Sequence, residues 1–192
     1  MPNWCLTNIT INGNENDLKV FDKLLDQWTS RNYMENGFGH EWLGNIVLGS
    51  GIGTVNTNPE TDIRCRGSIT QNQLCDDTLD IQTETAWCPM LDMWVKLVEK
   101  FIPDADITYT AEEYGFELFY TNNLDLVGKY VLDSWTEDIE SEYEMEEKTL
   151  IEILQKLMDT NETDIDKLSS LLYEGEYDIS INKWEYKEVT EW

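Results

Sequence analysis

The chain opens on a largely apolar run over residues 3–12 (NWCLTNITIN), where β-branched residues are frequent and which Gly13 closes. That pattern predicts an opening strand. Asn14 to Asp17 supply a helix start, and Leu18, Phe21, Leu24, Leu25 and Trp28 then recur at i, i+3 and i+4 spacing. An amphipathic helix over 17–30 follows. Residues 31–42 read as loop. The short apolar run Leu43 to Leu48 predicts a strand, with a glycine-rich turn after it at Gly49-Ser50-Gly51-Ile52-Gly53. Residues 54–62 are loop, and Ile63 to Thr70 predict another strand. Leu79, Ile81, Thr83 and Thr85 alternate with polar residues, giving a strand at 78–86 that Trp87-Cys88-Pro89 ends. Pro89 suits the first position of a helix, where its missing N–H costs nothing. Leu91, Trp94, Leu97, Val98 and Phe101 carry that helix to Lys100, and Pro103 blocks its continuation. Ile107, Tyr109 and Ala111 mark a strand. After a turn at Glu112-Glu113-Tyr114-Gly115, Phe116, Leu118 and Tyr120 mark the next.

The order is that of an α+β, ferredoxin-like β-α-β-β-α-β plan, an antiparallel sheet with its helices on one face. We expect this core to occupy residues 1–126. Residues 127–192 form an acidic α/β elaboration, expected to pack on the same domain. They contain a strand-like Val127 to Trp135, an acidic run, helical periodicity at Leu150 to Met158 and at Ile165 to Leu172, and a last strand around Tyr177 to Ile181. A length of 192 residues fits one domain.

Charge changes the picture most. There are 39 Asp+Glu against 13 Lys+Arg, a net of -26. Nucleic-acid binding needs cations to neutralise phosphates, and anionic membrane surfaces need them too, so both partners are excluded. A basic protein surface remains as the partner that this charge favours. Cys5, Cys65, Cys75 and Cys88 form no C-x-x-C pair and are expected to be free thiols, and no run of residues is apolar enough for a membrane span. Met-Pro-Asn-Trp-Cys lacks the character of a signal peptide. The expected compartment is the cytoplasm.

Candidate catalytic and binding motifs fail one by one. Gly49 to Gly53 has Thr54 where a dinucleotide fingerprint needs glycine, and lacks the lysine of a Walker loop. Asp159 to Asp166 resembles a calcium loop but places Asp164 and Ser170 where glycine and a bidentate glutamate belong. His40 is the one histidine and has no nucleophile beside it. Cys88, at a helix start, and the pair Glu112 and Glu113 are residues that an enzyme could use, although adjacent strand residues face opposite ways. No metal or cofactor is expected.

The acidic run is the most informative feature. Seven of the eleven residues from Glu137 to Glu147 are acidic. As a strand, Glu140, Glu142, Glu144 and Glu146 would share one face at about 6.6–6.8 Å spacing. As a helix, the run would span ~16 Å with one charge per ~2.4 Å, against one per ~1.7 Å of duplex DNA. A solvated face and a DNA-mimicking one both fit. Asp133, Glu137, Asp138, Glu140, Glu142, Glu144, Glu146 and Glu147 are the candidate contact residues.

Two blocks carry a family resemblance. Met-Pro-Asn-Trp-Cys-Leu-Thr-Asn-Ile-Thr-Ile-Asn-Gly at the start is one. The other is Thr85-Ala86-Trp87-Cys88-Pro89, with Phe101-Ile102-Pro103-Asp104 and Tyr109 through Glu113 to Gly115. Together they resemble the YubB-type ferredoxin-like proteins of phages and plasmids. No counterpart of the family's Trp-Gly-Thr-Lys-Trp-like segment stands near Arg64 to Ile69, and the acidic tail lies outside the match. The resemblance implies a ferredoxin-like fold without an iron–sulfur cluster, carriage on mobile elements, and no catalytic residue to carry over. It implies structural roles for Trp4 and Trp87 as core anchors, Pro89 as a helix start and Gly115 as a turn.

The expectation is therefore an accessory protein of a phage or other mobile element, not an enzyme. It would bind a basic host or defence protein in a bacterial cytoplasm, as anti-CRISPR or anti-restriction proteins do. An enzyme of unrecognised type with a carboxylate or cysteine pocket beside the sheet, and a structural or assembly module, are the alternatives.

Overall fold

The computed structural model describes residues 3–31, 38–116, 118–136 and 139–192. The protein is α+β and divides into two compact units, one of residues 1–123 with 187–192, the other of residues 124–186.

The first unit is built on β1 (Trp4–Asn12), whose alternation buries Cys5, Thr7, Ile9 and Ile11 on one face. Beside it lie β3 (Thr78–Ala86) and β4 (Asp106–Glu113), both antiparallel to it. β2 (Gly67–Cys75) pairs antiparallel with β3, and β5 (Leu118–Thr121) with β4, giving the order β2-β3-β1-β4-β5. The buried face is covered by α1 (Glu15–Thr29) and α3 (Leu91–Phe101). α1 buries Leu18, Phe21, Leu25 and Trp28, the stripe that its spacing predicts, and Asn14 caps it by accepting a hydrogen bond from the Asn16 N–H. α3 buries Leu91, Trp94, Leu97 and Val98 in the same core.

Three local expectations are corrected. Leu43–Ser50 is a helix, α2, rather than a strand. A short apolar run buried almost all round does not distinguish the two. The end conditions decide: Asn45 donates to the carbonyls of Gly39 and His40 at the entry, and Gly51 caps the exit at φ 65. The glycine cluster is thus a helix C-cap, and Lys100 Nζ donates to the carbonyls of Ser50 and Gly51 there. Second, β2 starts at Gly67, later than Ile63; a Cβ at Gly67 would lie 2.3 Å from the Glu84 carbonyl oxygen, so the close approach to β3 requires glycine. Third, α3 is capped by Met90 and starts at Leu91, which leaves Pro89 outside the helix.

The core-anchor roles also fail. Trp4 is 52% and Trp87 46% exposed. Trp4 stands on the outward-facing parity of β1, and Trp87 takes a left-handed backbone with φ 75 just past β3. Gly115 does sit in a turn, a 3-10 segment at Tyr114–Phe116, where a Cβ would collide with the Asn3 side chain.

Residues 187–192, expected within the acidic tail, belong to the first unit. The Lys187 N–H donates to the Thr121 carbonyl, the Tyr109 hydroxyl donates to the Lys187 carbonyl, and the Trp192 indole donates to the Tyr109 hydroxyl.

The second unit has a sheet ordered β7-β6-β8, formed by β6 (Tyr130–Ser134), β7 (Glu142–Met145) and β8 (Ile179–Lys183), all antiparallel. Two helices follow β7: α4 (Glu147–Met158) and α5 (Ile165–Glu174). Leu150, Leu154, Leu168 and Leu172 from the helices close a separate core with Tyr130, Leu132 and Met145. The connection between the helices is a set of caps. Asp164 accepts from the Lys167 N–H and Glu162 from the N–H groups of Thr163 and Asp164.

Phe21→Ala should lower unfolding free energy by about 3–5 kcal/mol, because a large side chain leaves a closed core. Val20→Ala, on the exposed side of the same helix, should change it by no more than about 0.5 kcal/mol. Denaturant midpoints compared at equal slope test this pair.

Candidate functional site

Residues 133–147 combine strand, connection and helix start. Glu142 and Glu144 share one face of β7, with Tyr143 and the buried Met145 on the other. Glu146 is the residue before α4 and Glu147 lies in its first turn, where the helix dipole favours a carboxylate. The even spacing of a single strand or a single helix over the whole run is therefore not what forms. Glu140, Glu142, Glu144, Glu146 and Glu147 are exposed, and among the described residues none has a lysine or arginine within ion-pair distance. Asp133, on β6, accepts a hydrogen bond from the Ser141 hydroxyl at 2.8 Å, and Glu147 one from the Tyr130 hydroxyl at 3.2 Å. Glu137 and Asp138 lie outside the described residues. Two aromatic side chains stand within this stretch, Trp135 at 68% and Tyr143 at 45% exposure. The indole of buried Trp184 holds the strand by donating to the Tyr143 carbonyl at 2.8 Å.

The two carboxylates that an enzyme reading would use do not converge. Glu113 shares the buried parity of Tyr109 and Ala111 and accepts from the Gly115 N–H at 2.9 Å; Glu112 has the opposite parity. Burial pushes the Cys5 thiol up to about 12 and the Cys65 thiol up to about 11, so both are held as inert thiols. Cys88 is half-buried and accepts a hydrogen bond from Arg64 Nη1 at 3.7 Å. No group of side chains suited to a metal occurs among the described residues.

A feature that the sequence pattern did not bring out lies in the first unit. A cavity of about 420 Å³ is lined by Phe38, Trp42, Val55, Asn56, Asp62, Ile63, Arg64, Cys65, Arg66, Ala86, Trp87 and Met90. Residues 63–67 alternate buried and exposed, which puts Arg64 and Arg66 on one side. The Ala86 N–H donates to the Arg66 carbonyl and the Trp87 N–H to the Asn3 carbonyl, each at 2.9 Å. The signal available in sequence was scarcity: the chain has three arginines, Arg31, Arg64 and Arg66.

Asp62 organises the wall beside them. It accepts from the Thr54 hydroxyl and from the N–H groups of Thr57 and Asn58. Desolvation acts to raise its pKa, but these hydrogen bonds outweigh it and hold the carboxyl below its ordinary value.

Comparison with family models, with curated proteins and with solved structures finds no match for this chain. Among the described residues no helix is long and apolar enough to cross a membrane.

Two outcomes follow from this chemistry. Alkylation of the folded protein should modify exposed Cys75 first and Cys88 more slowly, while Cys5 and Cys65 should react only on unfolding; peptide mass spectrometry over a labelling time course reads this order. The depressed Asp62 pKa means that its contribution to loop order is complete above the unfolded carboxylate value of about 3.9. It is lost as pH falls through the lower folded value. Amide shifts of Thr57 and Asn58 should be flat above about pH 4 and move together below it, and Asp62→Asn should abolish that titration.

Proposed function

We propose that this protein is a binding protein rather than an enzyme. Its acidic stretch, residues 133–147, would engage the basic surface of a nucleic-acid-handling or defence protein of a bacterial host and inhibit it. The observation that carries this is the set of exposed carboxylates Glu140, Glu142, Glu144, Glu146 and Glu147 without a basic partner among the described residues, in a stretch of chain that also exposes Trp135 and Tyr143. Carboxylates alone would serve solubility. Exposed aromatic residues in the same stretch of chain supply the kind of apolar anchor that protein interfaces use.

Magnitude supports the same reading. Residues 124–186 hold 18 Asp+Glu against 5 Lys and no Arg. A net charge of about 2–8 suffices to keep a small domain in solution. The excess charge destabilises a small core through self-repulsion, so solubility alone does not account for it. A basic partner would relieve that repulsion on binding.

The fold reading is consistent with the resemblance. In the first unit, the order β2-β3-β1-β4, antiparallel throughout, with α1 between β1 and β2 and α3 between β3 and β4, supports a ferredoxin-like core extended by α2 and β5. The resemblance to YubB-type proteins is what supports carriage on a phage or plasmid and a cytoplasmic site of action in the host.

The test is affinity capture from host extract with the wild-type chain. Beside it runs a variant carrying Glu140→Gln, Glu142→Gln, Glu144→Gln and Glu146→Gln. Wild type should retain a nucleic-acid-binding protein that duplex DNA displaces, with affinity falling steeply between about 50 and 200 mM salt as counterions screen the contact. The variant should lose it. Capture that is indifferent to ionic strength and equal for both chains sinks the electrostatic reading.

A further inference from the structure

The acidic contact leaves the cavity at Arg64, Arg66, Trp42 and Trp87 without a role. We propose that this cavity binds a small aromatic anion: one planar ring system bearing a carboxylate or a phosphate. It is independent of the acidic stretch and lies wholly within the first unit.

Size and lining set the class of ligand. A volume of about 420 Å³ falls in the range of small-molecule sites, about 300–1,000 Å³. Val55, Ile63, Cys65, Ala86 and Met90 form a buried apolar floor. Phe38 lies against Trp42 with ring centroids 5.4 Å apart and planes at 32°. Phe38 and Trp87 are 62% and 46% exposed, so each presents ring surface to the opening. Flat aromatic faces at a half-open apolar cavity suit a flat guest.

The charge of the guest follows from the arginines. In a chain of net charge -26, a cation ordinarily finds a carboxylate nearby. Among the described residues no ion pair involves Arg64 or Arg66. The one carboxylate in the lining, Asp62, is taken up by Thr54, Thr57 and Asn58. Arg64 gives one N–H to Cys88 Sγ at 3.7 Å, a weak acceptor. The remaining donors of two guanidiniums match an oxyanion, whose paired oxygens fit the guanidinium fork. Concentrating two of three arginines here also offsets locally a field that would otherwise repel any anion.

Backbone strain points to the same place. Trp87, in the lining, has φ 75, in the left-handed region. A bulky side chain in that region is unfavourable, and such residues persist where the surroundings fix them, commonly at ligand sites.

The experiment uses the full chain and follows the indole N–H signals of Trp42 and Trp87 and the guanidinium Nε–H signals of Arg64 and Arg66 by NMR. The probes are adenosine and uridine monophosphates, indole-3-acetate, and their uncharged counterparts adenosine, uridine and indole. At least one anionic probe should shift all four signals saturably, with its uncharged counterpart at least about tenfold weaker. Arg64→Gln and Arg66→Gln should each weaken it about tenfold, the scale of a lost charge-assisted contact. Both arginines are exposed, so the folded spectrum elsewhere should be unchanged. Saturation by the nucleotides identifies a phosphate-bearing ligand; saturation by indole-3-acetate alone identifies a carboxylate. The proposal is overturned if no anionic probe saturates at millimolar concentration, if the uncharged counterparts bind equally well, or if the glutamine variants bind unchanged.

Discussion

Burial of one face of β1 is the contact on which the first unit depends. Cys5, Thr7, Ile9 and Ile11 are each no more than 1% exposed, and the strand is flanked on both edges by partners. Its inward side chains meet both α1 and α3 in one core, so the two crossovers and the two neighbouring strands share this floor. Each fully buried aliphatic or aromatic side chain there contributes about 1.5–3 kcal/mol. The polar outward parity of the same strand, Asn8 and Thr10, is what leaves the other sheet face open to solvent, where Gln82 and Asp80 hydrogen-bond them.

Charge works against this economy of burial in a distributed way. Among the described residues Glu113 is the one carboxylate side chain buried as a whole, and it accepts from the Gly115 N–H; Asp92 and Glu112 each bury one carboxylate oxygen. In the second unit the clustered core is small, seven mutually packed buried side chains among the described residues, and a core of that size supplies only a few kcal/mol. Over three carboxylates per lysine surround it and repel one another.

Periodicity made the main elements legible because it reports burial directly. β1, α1, β3 and α3 follow from alternation or from i, i+3, i+4 stripes, and the structure places them within a few residues of the pattern. The failures are equally physical. Leu43–Ser50 is buried on almost every side, so no period separates helix from strand, and the Asn45 side-chain bonds at the entry and the left-handed Gly51 at the exit decide. Trp4 and Trp87 were legible as large apolar residues, yet backbone parity and a positive φ turn them toward solvent. Residues 187–192 attach through the hydrogen bonds of Tyr109 and Thr121 and the aromatic contacts of Trp192, which no local pattern announces. The acidic stretch was legible as composition; its division between β7 and the start of α4 was not. The arginine cavity assembles residues from Phe38 to Met90, and only the fold brings them together.

The two candidate contacts carry opposite charge, and ionic strength separates them. At 0.15 M salt the Debye length is about 8 Å. Around the acidic stretch, attraction for a basic partner is built from many exposed charges at longer range, so added salt removes it. At the cavity, two guanidiniums act at contact distance on an anion that the rest of the protein repels from farther away. Screening then weakens the repulsion more than the contact. Binding of an aromatic anion should be flat with salt or rise slightly while binding of a basic protein falls, and titrations of one preparation across 50–500 mM salt measure both slopes. A steep fall for the anion would mean that its site is not the arginine pair.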